Sequence, residues 1–256
     1  MRIWGRIAML GGMTLAITAC GKKGALVYPD MLAPAAPAAF SAMQSGSGVK
    51  IQFVLPSSDR AGNRLKNLAG MKISKRISDV SSDQTCRSCM EDYRLFRKLY
   101  LDLPPDGAER SGNRLALLDG DVNEGKYYSY VAVPFTKEGV DGASSPQVTV
   151  QIVQAVLPPI LHVESHPTEI KLSFVSLPPF DGVLVGYNLY RTLQKNGFSH
   201  MPVNKAPLTG KEYVDSGLAR ETSYRYMVRA VVRLPSGDLV ESIVSNEVEG
   251  MLKDDE

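Results

Sequence analysis

Tryptophan occurs once, at Trp4, and histidine three times, at His162, His166 and His200. The histidines are scattered, no Ser or Cys stands with them in a nucleophile motif, and no glycine loop has phosphate-cradling spacing. The chain therefore offers no catalytic set, no metal set and no cofactor fingerprint, and the expected protein is not an enzyme. An excess of one charge is also missing. Lys and Arg number 29 against 27 Asp and Glu, and setting aside Arg2 and Arg6 leaves 27 of each. Such balance steers a protein neither to nucleic acid nor to an anionic surface. Beyond residue 19 no apolar run approaches the roughly 20 residues of a membrane-spanning helix. Cysteine is scarce too: Cys20, Cys86 and Cys89 are the full set.

What is present begins at the N-terminus. Arg2 and Arg6 precede the short apolar run Ile7 to Ile17, and the segment closes on Ile17-Thr18-Ala19-Cys20. Charge, a brief apolar core and small residues form the layout of a secretory leader. The closing residues resemble the lipobox of bacterial lipoproteins. That resemblance implies a signal peptide over residues 1–19, cleavage before Cys20, lipid attachment at Cys20, and the membrane as a partner through that lipid. Gly21 in place of Asp resembles the arrangement sorted to the outer membrane, with the rest of the chain in the periplasm. Each buried methylene of an acyl chain contributes about 0.8 kcal/mol, so several chains anchor permanently. Residues 20–39, rich in Ala and Pro, read as an extended tether of about 3 Å per residue.

The rest of the chain repeats itself. Val49, Ile51 and Phe53 align with Ile170, Leu172 and Phe174, an alternation of period 2 that predicts a strand with one buried face. Gly70 to Lys75 then lies beside Gly186 to Arg191, Asp119-Gly120-Asp121-Val122 beside Asp215-Ser216-Gly217-Leu218, Tyr128 to Val133 beside Tyr224 to Arg229, and Ser145 to Val148 beside Ser245 to Val248. Short alternating strands with turn residues between them predict an all-β protein of two antiparallel β-sandwiches, about seven strands in each. The domains run over residues 40–156 and 157–250, with 251–256 as an acidic tail. Leu157-Pro158-Pro159 between them predicts modules standing end to end with little shared core.

Leu218, Thr222, Tyr224 and Val228 carry a Leu…Thr-x-Tyr-x-x-x-Val pattern that resembles fibronectin type III domains, and the resemblance extends over both repeats. It implies that Phe53 and Phe174 occupy the strand-B position usually held by Trp. It also implies that Tyr128 and Tyr224 are tyrosine-corner residues, rings in the core and hydroxyls returning to backbone. These four are the expected structural core residues. The first repeat is longer, with Tyr128 lying 58 positions after Gly70 whereas Tyr224 lies 38 after Gly186. Its extra segment Glu91 to Leu103 is expected to hold a strand ending before Pro104-Pro105.

Cys86 and Cys89 belong to the same excess length, just before that segment. In an exported chain they read most simply as a local disulfide, and a ring so small contributes only about 2 kcal/mol. A redox-active pair would need a helix N-terminus in an α/β frame, c-type haem a His where Met90 stands, and zinc two more ligands.

These features together predict a membrane-anchored periplasmic lipoprotein that works as a non-catalytic scaffold or binding module for an envelope protein or glycan. Cys20-Gly21-x-Lys23-Gly24-x-Leu26-x-x-Pro29 resembles the start of LptM-type small lipoproteins, with Ala25 in place of the usual Pro. That resemblance implies an alternative, an assembly factor for the lipopolysaccharide translocon or outer-membrane biogenesis.

Overall fold

The computed structural model describes residues 28–80, 92–103, 107–179, 181–193, 197 and 199–253. Cys20, Cys86 and Cys89 lie outside them. A 3-10 turn, Pro29–Leu32, leads into β1 (Ala38–Ser45), β2 (Gly48–Val54), β3 (Leu68–Ser78), β4 (Arg94–Tyr100), β5 (Ala108–Ser111), β6 (Arg114–Asp119), β7 (Tyr127–Thr136) and β8 (Val148–Gln151). The second repeat supplies β9 (Ile160–Ser165), β10 (Glu169–Val175), β11 (Val183–Leu193), β12 (Glu212–Ser216), β13 (Tyr224–Arg233), β14 (Leu239–Glu241) and β15 (Val248–Gly250).

The fold is all-β, two tandem antiparallel sandwiches of fibronectin type III-like type. In the first, β1-β2-β6-β5 faces β4-β3-β7-β8; in the second, β12-β10-β9 faces β11, β13 and β15. Alternation fills each core. Val49, Ile51 and Phe53 meet Met71, Ile73, Tyr128 and Tyr130 in one, while Ile170, Leu172 and Phe174 meet Tyr187, Leu189, Tyr224 and Tyr226 in the other. The extra length of the first repeat includes β4 and β5, each on a sheet edge. Gly70 stands within β3 because a Cβ there would lie 2.0 Å from the Leu99 carbonyl oxygen and 2.6 Å from the Phe135 ring.

Three expectations need correction. The tether does not extend to residue 39. Ala33, Pro34 and Pro37 are buried, and the Ala35 N–H donates to Ser58 while Pro34 accepts from Ala143. Those two backbone bonds hold the apolar Ala and Pro segment against the first sandwich, where its burial removes apolar surface from water. At the other end Leu252 is buried in the second core, and Lys253 donates its N–H to the His166 carbonyl. The acidic tail therefore does not begin at residue 251.

The third correction concerns how the sandwiches meet. They do not stand end to end. Ser45 of β1 pairs in parallel with Glu241 of β14, so one eight-stranded sheet runs β11-β13-β14-β1-β2-β6-β5 through both repeats, with β15 as the eighth strand on β13. The outer face of β2 thereby meets the outer faces of β11 and β13.

Candidate functional site

Polar groups inside each sandwich follow a shared design. In the first, Tyr130 Oη donates to Asp119 Oδ2 at 2.7 Å and Lys75 Nζ lies 2.7 Å from the same oxygen. In the second, Tyr226 Oη donates to Asp215 Oδ2 at 2.8 Å and Arg191 Nη1 reaches both carboxylate oxygens at 2.8 Å. Burial, with the neighbouring carboxylate, pushes both tyrosine hydroxyls far above their ordinary range, so they remain donors. The same cations lie over the next tyrosine: Lys75 Nζ is 4.9 Å from the Tyr128 ring centroid and the Arg191 guanidinium carbon 5.6 Å from that of Tyr224. A buried charge of this kind is tolerable only when paired and hydrogen-bonded, and every member here has a structural partner.

Phe53, Tyr128 and Phe174 are 1–2% exposed and Tyr224 is 9% exposed. Tyr128 Oη accepts the Asn123 N–H at 2.7 Å, and Tyr224 Oη accepts the Ala219 N–H at 3.1 Å. Both bonds run five residues back along the chain, the geometry of a tyrosine corner. Tyr128→Phe and Tyr224→Phe are each expected to cost about 1–3 kcal/mol, since a backbone donor loses its acceptor. The larger loss belongs to Tyr128, where water has less access. Urea midpoints of the two variants measure this, and an unchanged midpoint for Tyr128→Phe would show that its hydroxyl does not hold the corner.

The place where the two repeats can act together is their junction. β2 alternates inward Val49 and Ile51 with outward Lys50, yet Lys50 is only 4% exposed because the second sandwich covers it. Its Nζ sits 2.6 Å from Glu241 Oε1. That oxygen also accepts from Tyr190 Oη and Asn188 Nδ2, each at 2.6 Å, while Oε2 accepts from Ser45 Oγ at 2.6 Å. Burial works to raise the Glu241 carboxyl, but Lys50 and the surrounding donors hold it below the ordinary carboxylate range. Burial lowers the Lys50 ammonium from its usual value against the pull of Glu241.

Further bonds close the junction. The Gln44 side chain donates to the Val153 carbonyl at 2.8 Å and accepts the Val153 N–H at 3.0 Å. Ile243 donates its N–H to Val156. Glu109 of the first repeat accepts from the Ser199 hydroxyl and from the His200 and Met201 N–H groups. Gly46, at φ 62, turns β1 into β2 where a Cβ would come within 3.1 Å of Arg229 Nη1.

Beside this network opens a cleft of about 1160 Å³. Its walls are Ala42 and Met43 of β1, β8, the connection Val153–Leu157, the loop around Leu177–Pro179, and the β13–β14 turn. Leu157 and Leu177 stand 61% and 69% exposed on it. The lining is largely apolar, with Arg233, Asp181 and Asp238 contributing charge of both signs. Among the described residues no three His, Cys, Asp or Glu side chains are grouped to hold a metal ion.

The repeat places Lys75 beside Arg191, Asp119 beside Asp215 and Tyr130 beside Tyr226 in sequence, without marking them as contacts. Their recurrence in both repeats was the available signal. Lys50 and Glu241 gave none, because their burial comes from the packing of one repeat on the other.

The fold defines a tandem fibronectin type III-like β-sandwich protein. No protein-family description and no curated protein matches the chain. Among solved structures it is similar to the chicken CNTN1 FN1-FN3 domains, with 14% identity over 87% of this chain and 68% of that one and a TM-score of 0.31. It is also similar to a myokine structure, with 17% identity over 38% of this chain and 98% of that one and a TM-score of 0.30.

Proposed function

We propose that this chain is an outer-membrane lipoprotein, acylated at Cys20, whose two sandwiches form a non-catalytic scaffold or binding module in the periplasm. The observation that carries the binding role is the apolar cleft between sandwiches that a buried charge network holds in one arrangement. Pre-set geometry lowers the ordering cost of capturing a partner. The lipid reading rests on Ile17-Thr18-Ala19-Cys20, and the cystine reading on the pair Cys86 and Cys89 in an exported chain.

Radiolabelled palmitate tests the anchor. Label is expected in the wild-type chain and none in Cys20→Ala, which should also leave the membrane fraction. Persistent labelling of the variant would sink the lipoprotein reading. Cross-linking followed by pull-down from membranes, with the lipid intact, tests the role. Envelope proteins or glycans lost on substitution of cleft residues support the scaffold, whereas translocon subunits retained through the Cys20-to-Pro29 segment support an assembly factor for lipopolysaccharide export. Substrate turnover by the purified chain would overturn both.

A further inference from the structure

The strands that join the two sandwiches pair at one position and then part. β1 and β14 run parallel with Ser45 opposite Glu241, and the Gly46 N–H donates to the Glu241 carbonyl at 3.0 Å. The next rung of a parallel ladder would place Leu239 opposite Met43, two residues back on each strand. That rung does not form, and Met43 and Leu239 instead stand on walls of the cleft.

Ladder alternation shows what faces the gap. Ser242 donates its N–H to Ala230, so in the β13–β14 pairing the even-numbered residues of β14 turn their backbone groups toward β13. Leu239, like Glu241, turns its N–H and C=O away from β13, toward β1. On β1, Ser45 and Gly48 close a two-residue hairpin and Met43 pairs with Lys50. Ser45 and Met43 therefore direct their backbone groups to β2, and Ala42 directs its own out of that ladder. Among the described residues no further bridge joins β1 and β14, so two strand edges whose backbone groups point out of their ladders border one apolar cleft, and Leu157 and Leu177 line it beside them.

We propose that this fork receives an extended segment of a partner protein, which adds a strand against β1 or β14 and seats alternate apolar side chains on Leu157 and Leu177. The inference rests on the binding role proposed above and names the class of ligand for that cleft. Backbone amides waiting at the edges decide for a polypeptide over an acyl chain, since hydrocarbon fills apolar volume but satisfies neither an N–H nor a C=O. Strand addition draws affinity from main-chain bonds and specificity from pockets for alternate side chains, and both features are present at the fork.

The test uses the full chain carrying Cys20→Ala and a synthetic eight-residue peptide of alternating Val and Thr, blocked at both ends. Saturable binding is expected, with slowed amide hydrogen exchange at Ala42 and Leu239. Leu177→Asp, at an exposed position, is expected to weaken binding at least tenfold while leaving thermal unfolding unchanged. Ala42→Pro removes a donor that points out of the β1–β2 ladder and should weaken binding similarly. A peptide of the same sequence N-methylated at alternate residues should not bind.

Binding without protection at Ala42 or Leu239, equal binding of the methylated peptide, or displacement by dodecanoate through a purely apolar contact would each overturn the proposal. Failure of the Val/Thr peptide to bind at millimolar concentration would do so as well. None of these results removes a cleft-dependent envelope partner from the membrane pull-down, so the scaffold reading is judged separately.

Discussion

Glu241→Ala is expected to destabilise the protein by about 3–5 kcal/mol, the range for removing one partner of a buried ion pair. The loss arises from what stays behind. Lys50 would remain enclosed between two sheets with its charge uncompensated, and Ser45, Tyr190 and Asn188 would lose their common acceptor. Lys50→Met should cost less, because three neutral donors still surround the Glu241 carboxylate. Combining Lys50→Met with Glu241→Leu should recover part of the loss, as apolar replacements of buried pairs often do. Urea unfolding of the three variants ranks them, and a Glu241→Ala midpoint equal to wild type would mean that the junction contributes nothing to stability.

The same carboxylate gives the junction an acid dependence of defined sign. Its folded pKa is depressed, so its contribution is fully present above the unfolded value of about 4.3. That contribution is lost as pH falls through the lower folded value. Wild type should therefore lose stability more steeply than the Lys50→Met, Glu241→Leu double variant between neutral pH and about pH 3. Parallel pH curves for the two would contradict the assignment.

Phe174→Ala carries the second large effect, about 3–5 kcal/mol for deleting a buried aromatic ring. Phe174 is 2% exposed, and its ring centroid lies 4.6 Å from that of Tyr187. In a tandem of independent modules only the second would melt earlier. Here unfolding the second sandwich also strips the cover from Lys50 and removes β14 from the shared sheet, so the first loses stability with it. Calorimetry of wild type is expected to show one coupled transition, lowered as a whole in Phe174→Ala. In a Glu241→Ala background the coupling is weakened, and the effect of Phe174→Ala should fall more on the second sandwich. A wild-type profile with two transitions, one of them unmoved by Phe174→Ala, would show that the shared sheet does not couple the repeats.

Much of the fold was written locally. Period-2 alternation at Val49, Ile51 and Phe53, and again at Ile170, Leu172 and Phe174, needs only the geometry of a strand to say which side faces in. Tyr224 was placed by the resemblance of Leu218, Thr222, Tyr224 and Val228 to the fibronectin type III pattern and Tyr128 by the alignment of the repeats, and the corner bond each makes spans five residues of one chain segment. The strand in Glu91 to Leu103 was legible from alternation, and β4 occupies Arg94–Tyr100 within it.

The relation between the repeats was not written in that way. The alternation that puts Ile51 inside puts Lys50 outside, and by that rule Lys50, Asn188 and Tyr190 belong to solvent. Only the stacking of one outer sheet face on another buries them, and a linker of Val, Leu and Pro residues specifies its own conformation rather than the angle between two sheets. Two β-sandwiches and their inward faces follow from strand period and from turn residues close along the chain, and the corner tyrosines from the resemblance that those residues carry. Tertiary structure alone decided that Glu241 meets Lys50 across 191 residues of sequence and that β1 and β14 pair once and diverge. Contacts so distant leave no periodic trace in either segment that makes them.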